Sequence, residues 1–115
     1  MVKMVRTYKA GVNKEFIPSI VHGFKTIDMR PYMDEWLNLQ VGDKILYNRH
    51  YMVKVTGIIY YESPTELTEN EDLTEIVPIQ DDDLGKFVRH LCYRYVRKSK
   101  DKGLFAIHFK YLGEK

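Results

Sequence analysis

The chain has 115 residues, 44% hydrophobic and 30% charged, which suits one globular domain with one core and leaves little room for a second. A lone cysteine, Cys92, excludes an intramolecular disulfide, no Cys/His spacing resembles a zinc site, and no apolar run reaches the about 18 residues of a membrane span. The formal charge is only +2, but nine of the sixteen carboxylates crowd between Glu62 and Asp83, leaving eighteen basic and seven acidic residues elsewhere, a body able to attract a polyanion.

A short strand is expected around Lys3 to Lys9. In NKEFIPSIVHG, Asn13 is a candidate helix cap and Gly23 a stop, with Pro18 keeping the helix short or irregular. KTIDMR alternates: Thr26, Asp28 and Arg30 face one way and Lys25, Ile27 and Met29 the other, with Pro31 as the end. A Gly-Asp turn at 42–43 then precedes two strand candidates, Lys44 to Asn48 and Tyr51 to Tyr60, which read as a hairpin turning at Arg49 and His50. Ser63 with Glu66 is a capping box with Pro64 at the first helical position, so the acidic segment opens as a helix. DDDLGKFVRHLCYRYVRKSK is the clearest helix. Leu84, Phe87, Val88, Leu91 and Tyr95 form an apolar stripe, and Lys86, Arg89, His90, Tyr93, Arg94 and Arg97 fall opposite. Asp81 to Asp83 at its start and Arg97, Lys98 and Lys100 at its end suit the helix dipole. LFAIHFKYL is a last strand, expected to be central or well covered. The order predicts an α+β fold with a small, mostly antiparallel sheet, curled or barrel-like, and two or three flanking helices.

The polar strand carries the chemistry. Gly23 lets the backbone leave a helix sharply and bring Lys25 to the lip of the sheet. Arg30 can fork two hydrogen bonds to a phosphate or a base edge, and Lys25 adds a point charge. Asp28 can orient the guanidinium, accept a base amino group or activate a water, with Thr26 on the same face. The plain alternative is a surface ion pair between Asp28 and Arg30, worth about 0–1 kcal/mol.

Gly23, Lys25, Thr26, Asp28 and Arg30, followed by Val41, Gly42, Asp43 and Ile45, then by Tyr60, Tyr61 and Ser63 before a helix and by the closing apolar strand, resemble the ASCH domain family of the PUA-like superfamily. The likeness runs over about Lys14 to Leu112, within a single domain spanning 1–115. It implies a small β-barrel of mostly antiparallel strands and a cleft for RNA or nucleobases beside the Lys-Thr strand, with no cofactor and no metal. Some small bacterial members are amidohydrolases acting on N4-acetylcytidine with a lysine, a threonine nucleophile and a glutamate. Lys25 matches their lysine. Asp28 stands where their threonine would be, and no residue of the acidic segment matches their glutamate, so the hydroxyl nucleophile is missing. Lys25 and Asp28 remain the candidate catalytic pair if a water is the nucleophile.

The leading expectation is a protein binding single-stranded RNA or a modified nucleoside, with no membrane partner and an oligomeric state left open. The expected contacts are Lys25, Thr26, Asp28, Arg30, Tyr32, Trp36, Tyr61 and Ser63, the aromatics for base stacking. Arg89 and Arg97 on the basic helix face would track phosphates. Two alternatives stand beside it: a small hydrolase (N4-acetylcytidine amidohydrolase-like or a ribonuclease), and an interaction module that docks a basic partner on the acidic segment 62–83. His22, His50, His90 and His108 receive no role, and Cys92 reads as a small core residue. With no secretory leader in MVKMVRTYKAG, the expected location is intracellular and cytoplasmic, or nuclear for a eukaryotic or viral source.

Overall fold

The computed structural model describes residues 4–78 and 84–115. Its elements are β1 (Thr7–Ala10), a 3-10 turn (Lys14–Phe16), α1 (Ile17–Val21), β2 (Ile27–Pro31), α2 (Asp34–Leu37), β3 (Lys44–Tyr47), β4 (Tyr51–Tyr61), α3 (Pro64–Asn70), α4 (Leu73–Ile76), α5 (Leu84–Lys98) and β5 (Leu104–Glu114). One five-stranded sheet runs in the order β1-β3-β4-β5-β2, with β1 parallel to β3 and every other pairing antiparallel. This is the expected α+β architecture, and the sheet curls into a half-barrel.

Several local predictions are met for the physical reasons that motivated them. Asn13 accepts from the Glu15 amide and Pro18 lies in the first turn of α1. Gly23 follows α1 with φ +81, a backbone conformation glycine adopts without a side-chain clash. Ser63 accepts from the Glu66 amide to start α3. The hairpin of β3 and β4 turns on Asn48 and Arg49, which both have positive φ, one residue earlier than expected. Asparagine tolerates that conformation by bonding locally; here its side chain also holds Val12 through both backbone groups. Asp81, Asp82 and Asp83, placed at the helix start by the sequence, and Lys3 lie outside the described residues.

Two cores share β5. Leu104 and Ala106 face one, with Ile27 and Met29 of β2 and Leu67, Ile76, Val88, Cys92 and Val96 of the helices. Ile107 and Phe109 face the other, inside the curl, with Ile20, Trp36, Ile45, Tyr47, Val53 and Val55. A strand covered on both faces reads as an unbroken apolar run, which is why LFAIHF looks as it does. The stripe of α5 differs from the expected one. Val88, Cys92 and Val96, one every four residues, are buried, Leu84, Leu91 and Tyr95 flank them, and Phe87 is 44% exposed.

The curl can be read from two side-chain contacts. β3 and β2 have two strands between them, which in a flat sheet would hold them about 14 Å apart. Yet the Tyr47 hydroxyl on β3 donates to Asp28 Oδ2 on β2 at 2.6 Å. Arg30, on the same edge strand, donates from Nη2 to the Gly11 carbonyl just past β1, the opposite edge, at 2.6 Å. The two edges therefore meet through a guanidinium. As the edge strand β2 tolerates Pro31, which has no amide proton to give.

At the foot of β5, Gly103 has φ +101, and an added Cβ would lie 2.5 Å from the Tyr61 carbonyl oxygen and 2.8 Å from the Tyr60 ring. Gly103→Ala combines positive-φ strain with overpacking against backbone. It should lower stability by about 2–4 kcal/mol, read as a drop in the urea midpoint; an unchanged midpoint would mean that this turn relaxes freely.

Candidate functional site

Asp28 and Arg30 are one strand period apart on β2 and point into the curl, as the alternation predicts. Arg30 Nε donates to Asp28 Oδ2 at 2.9 Å, and the Tyr47 hydroxyl donates to the same oxygen. Asp28 Oδ1 carries no hydrogen bond among the described residues. Arg30 lies over the Trp36 ring, its guanidinium carbon 5.0 Å from the centroid, and Tyr8 stacks on that indole at 6.4 Å. The pair is not a surface ion pair: Asp28 is 6% exposed, and its partners fix it from two strands.

Lys25 precedes β2 and shares a face with Ile27 and Met29, which takes it inward, not to an exposed lip. It is 4% exposed, and Nζ donates to the Ile27 carbonyl at 2.7 Å and to the Ile76 carbonyl at 2.6 Å. Phe16 lies 5.2 Å from the ammonium. The ammonium thus ties the free edge of β2 to the end of α4.

A cavity of about 240 Å³ opens where these groups meet. Lys25, Asp28 and Arg30 form its polar wall, and Met29, Ile76, Val77, Leu91 and Tyr95 its apolar one; the loop 11–13 and Phe16 complete it. Burial lowers the Lys25 pKa, against the pull of Asp28 and with the help of Arg30. Burial would also lower Arg30, but Asp28 outweighs it and holds the guanidinium charged. Tyr47 and Tyr95 are raised by burial and by the charge of Asp28, so both hydroxyls stay protonated. The site presents Asp28 Oδ1, which has no hydrogen bond among the described residues, beside a fixed guanidinium and an apolar wall.

The remaining predicted residues are placed elsewhere. Thr26 does not line the cavity; its amide donates to the Glu75 carbonyl and its carbonyl accepts from the Phe109 amide. Trp36 is 5% exposed and covered by Arg30 and Tyr8, so it supports the guanidinium and offers no open face for stacking. Tyr61 is buried too, its hydroxyl donating to Glu71. Ser63 caps α3. Tyr32 packs on Tyr60 and Phe105 in a separate depression. Arg89 and Arg97 are exposed on α5, and neither lines the cavity. Sequence reading missed Tyr47 and Tyr95, whose apolar surroundings make them look like plain core residues, and Gly11, which contributes through its backbone. It also passed over His108, whose Nε2 lies 2.9 Å from Glu71 Oε2 on the opposite face of the sheet.

The backbone arrangement has solved counterparts. ZmASCH from Zymomonas mobilis, seen in two variants, superposes with TM-scores of 0.62 and 0.63 at 12% identity, over 96% and 95% of this chain and 73% and 72% of that one. The fold is ASCH-like. The hypothetical protein PH0355 superposes at TM-score 0.80 with 26% identity, over 92% of this chain and 99% of its own. Protein PF0455 from Pyrococcus furiosus does so at 0.68 with 27% identity, over 92% and 97%. No family model and no curated protein matches the sequence. The likeness to ZmASCH at this identity is one of backbone.

Proposed function

We propose that this protein binds RNA or a modified nucleoside by seating one unpaired base in the cavity beside Asp28 and Arg30. The observation that carries the reading is the juxtaposition of Asp28 Oδ1, an acceptor unused among the described residues, with a guanidinium that spends two of its five N–H groups on Asp28 and Gly11 there. An acceptor next to a donor matches the edge of a base that offers an amino or imino hydrogen beside a carbonyl or ring nitrogen; a carboxylate accepting from cytosine N4 is one such pairing. The apolar wall of Leu91, Ile76 and Tyr95 suits the faces of the base, and a cavity of about 240 Å³ suits one base better than a larger ligand. The sequence resemblance to ASCH domains points to the same ligand class.

The single tryptophan supplies the test, because Trp36 lies directly under Arg30. Titration with nucleoside monophosphates and N4-acetylcytidine should change Trp36 emission, and Asp28→Asn should weaken the response at least about tenfold, the loss of one charged hydrogen bond. No response to any base, or an equal response in Asp28→Asn, defeats the reading. Mass analysis of the same mixtures addresses hydrolysis. That second reading draws on Lys25, a buried amine of lowered pKa next to a carboxylate. Against it, both hydrogen bonds of the Lys25 amine go to backbone carbonyls, and the only side-chain hydroxyl lining the cavity, among the described residues, is the protonated Tyr95. Intact N4-acetylcytidine is the expected product analysis.

A further inference from the structure

The cavity does not end at Tyr95. Leu91 and Tyr95 also line a second depression with Arg94 and Lys98. Lys98 in turn lines a third, with Tyr32, Met33, Asp34, Ser99, Lys100 and Lys102. Successive hollows share these lining residues, so the three follow one another from Asp28 along the C-terminal half of α5. The helical part of this path, from Leu91 to Lys98, rises about 10 Å.

The path has a chemical direction. Beyond the cavity, Arg94, Lys98, Lys100 and Lys102 line the second and third hollows, with Asp34 as the carboxylate among the described residues there. The turn that carries the last two lysines has positive φ at Lys100 and Asp101. It is fastened by the Tyr60 hydroxyl, which donates to the Lys102 carbonyl at 2.6 Å. At this far end Tyr60 is 43% exposed and packs edge-on against Tyr32 at 5.3 Å, an amphipathic aromatic pair beside the cations. Arg89 and Arg97, at the positions where sequence reading placed the phosphate contacts, border none of the three hollows.

We infer that the ligand is a single-stranded RNA several nucleotides long. One base occupies the cavity, the phosphates pass over Arg94, Lys98, Lys100 and Lys102, and a neighbouring base rests on Tyr60 and Tyr32. This rests on the cavity reading and extends it from a nucleoside to a polynucleotide. A duplex would have to unpair and flip a base to fill the cavity, at a cost of a few kcal/mol that a single strand does not carry. Four phosphates neutralised on a single strand give a slope of about −3 for the logarithm of the binding constant against the logarithm of salt concentration.

The experiment measures anisotropy of a labelled single-stranded RNA octamer against salt, alongside the Trp36 response to the free nucleosides and N4-acetylcytidine, which carry no phosphate. Arg94→Ala with Lys98→Ala should flatten the slope to about −1.4 and leave the nucleoside response as it was. Lys54→Ala with Lys110→Ala, which removes two positive charges from the exposed β4 and β5 ladder, should leave the slope near about −3. An unchanged slope in the first double variant, equal flattening in the second, or equal affinity for the octamer in duplex form overturns the track. A retained nucleoside response in any of those cases leaves the cavity reading standing. Octamer binding that follows the track but is indifferent to Asp28→Asn, with no nucleoside response, overturns the cavity reading and with it the seated base.

Discussion

Replacing Asp28 with alanine is expected to lower the unfolding free energy by about 3–5 kcal/mol and the melting temperature by more than about 10 °C. Asp28 Oδ2 accepts from the Arg30 guanidinium and the Tyr47 hydroxyl at once, and those donors come from strands on opposite sides of the curl. Alanine leaves a guanidinium only 18% exposed and a fully buried phenol without their acceptor. Removing one partner of such a set exposes the desolvation penalty of the others. Asp28→Asn keeps an oxygen in place and should lose only about 1–2 kcal/mol, which is why asparagine is the variant suited to binding tests. Asp28→Ala combined with Tyr47→Phe should lose less than the two single changes added together, because the second substitution removes the stranded donor. Thermal denaturation of the four proteins decides the matter. A loss below about 1 kcal/mol for Asp28→Ala would return the pair to the energetics of a surface ion pair.

How much of this was legible in the sequence depends on whether the signal was local. The hairpin, the Ser63 cap, the Gly23 stop and the apolar closing strand are set by neighbours within a few residues, and they appear where expected, the hairpin turn within one residue. Strand parity also put Asp28 and Arg30 on one face. The same parity placed Lys25 with Ile27 and Met29, both core residues, so its burial was available from alternation; the usual exposure of lysine obscured it. On α5, a stripe through Leu84, Phe87, Val88, Leu91 and Tyr95 fits the helical period almost as well as one centred on Val88, Cys92 and Val96. Only the packing partners on β2 and β5 choose between them, and the choice sets Arg94 and Lys98 in the depression next to the cavity, which Arg89 and Arg97 do not border. The contact of Tyr47 with Asp28 has no local signature, because it exists only once the sheet has curled and brought β3 across to β2.

Lys25→Met should lower stability by about 2–4 kcal/mol at neutral pH, and the loss should grow as the pH rises. Methionine keeps an apolar stem but donates nothing, so the Ile27 and Ile76 carbonyls lose their partner. Relief from burying an ammonium offsets part of that loss. Burial holds the Lys25 pKa below its usual 10.5. Between that lowered value and 10.5 the unfolded chain binds more protons than the folded one, so wild-type stability rises with pH across the window. The neutral amine keeps two N–H groups, enough for both carbonyls, so deprotonation removes the charge penalty without breaking the brace. An opposing fall sets in from about 9, where the buried Cys92 thiol is pushed up from 9.0 to about 12, and strengthens above 10.0, where Tyr47, Tyr61 and Tyr95 are raised: the folded chain retains protons that the unfolded chain releases. The variant should show the fall without the rise. Urea midpoints from pH 7 to 11 for both proteins test this, and parallel profiles would mean that Lys25 titrates in the folded protein as it does in the unfolded chain. A rise confined to the wild type would establish that a neutral Lys25 is reachable inside an intact fold. That is the protonation state a lysine base needs, and a brace does not.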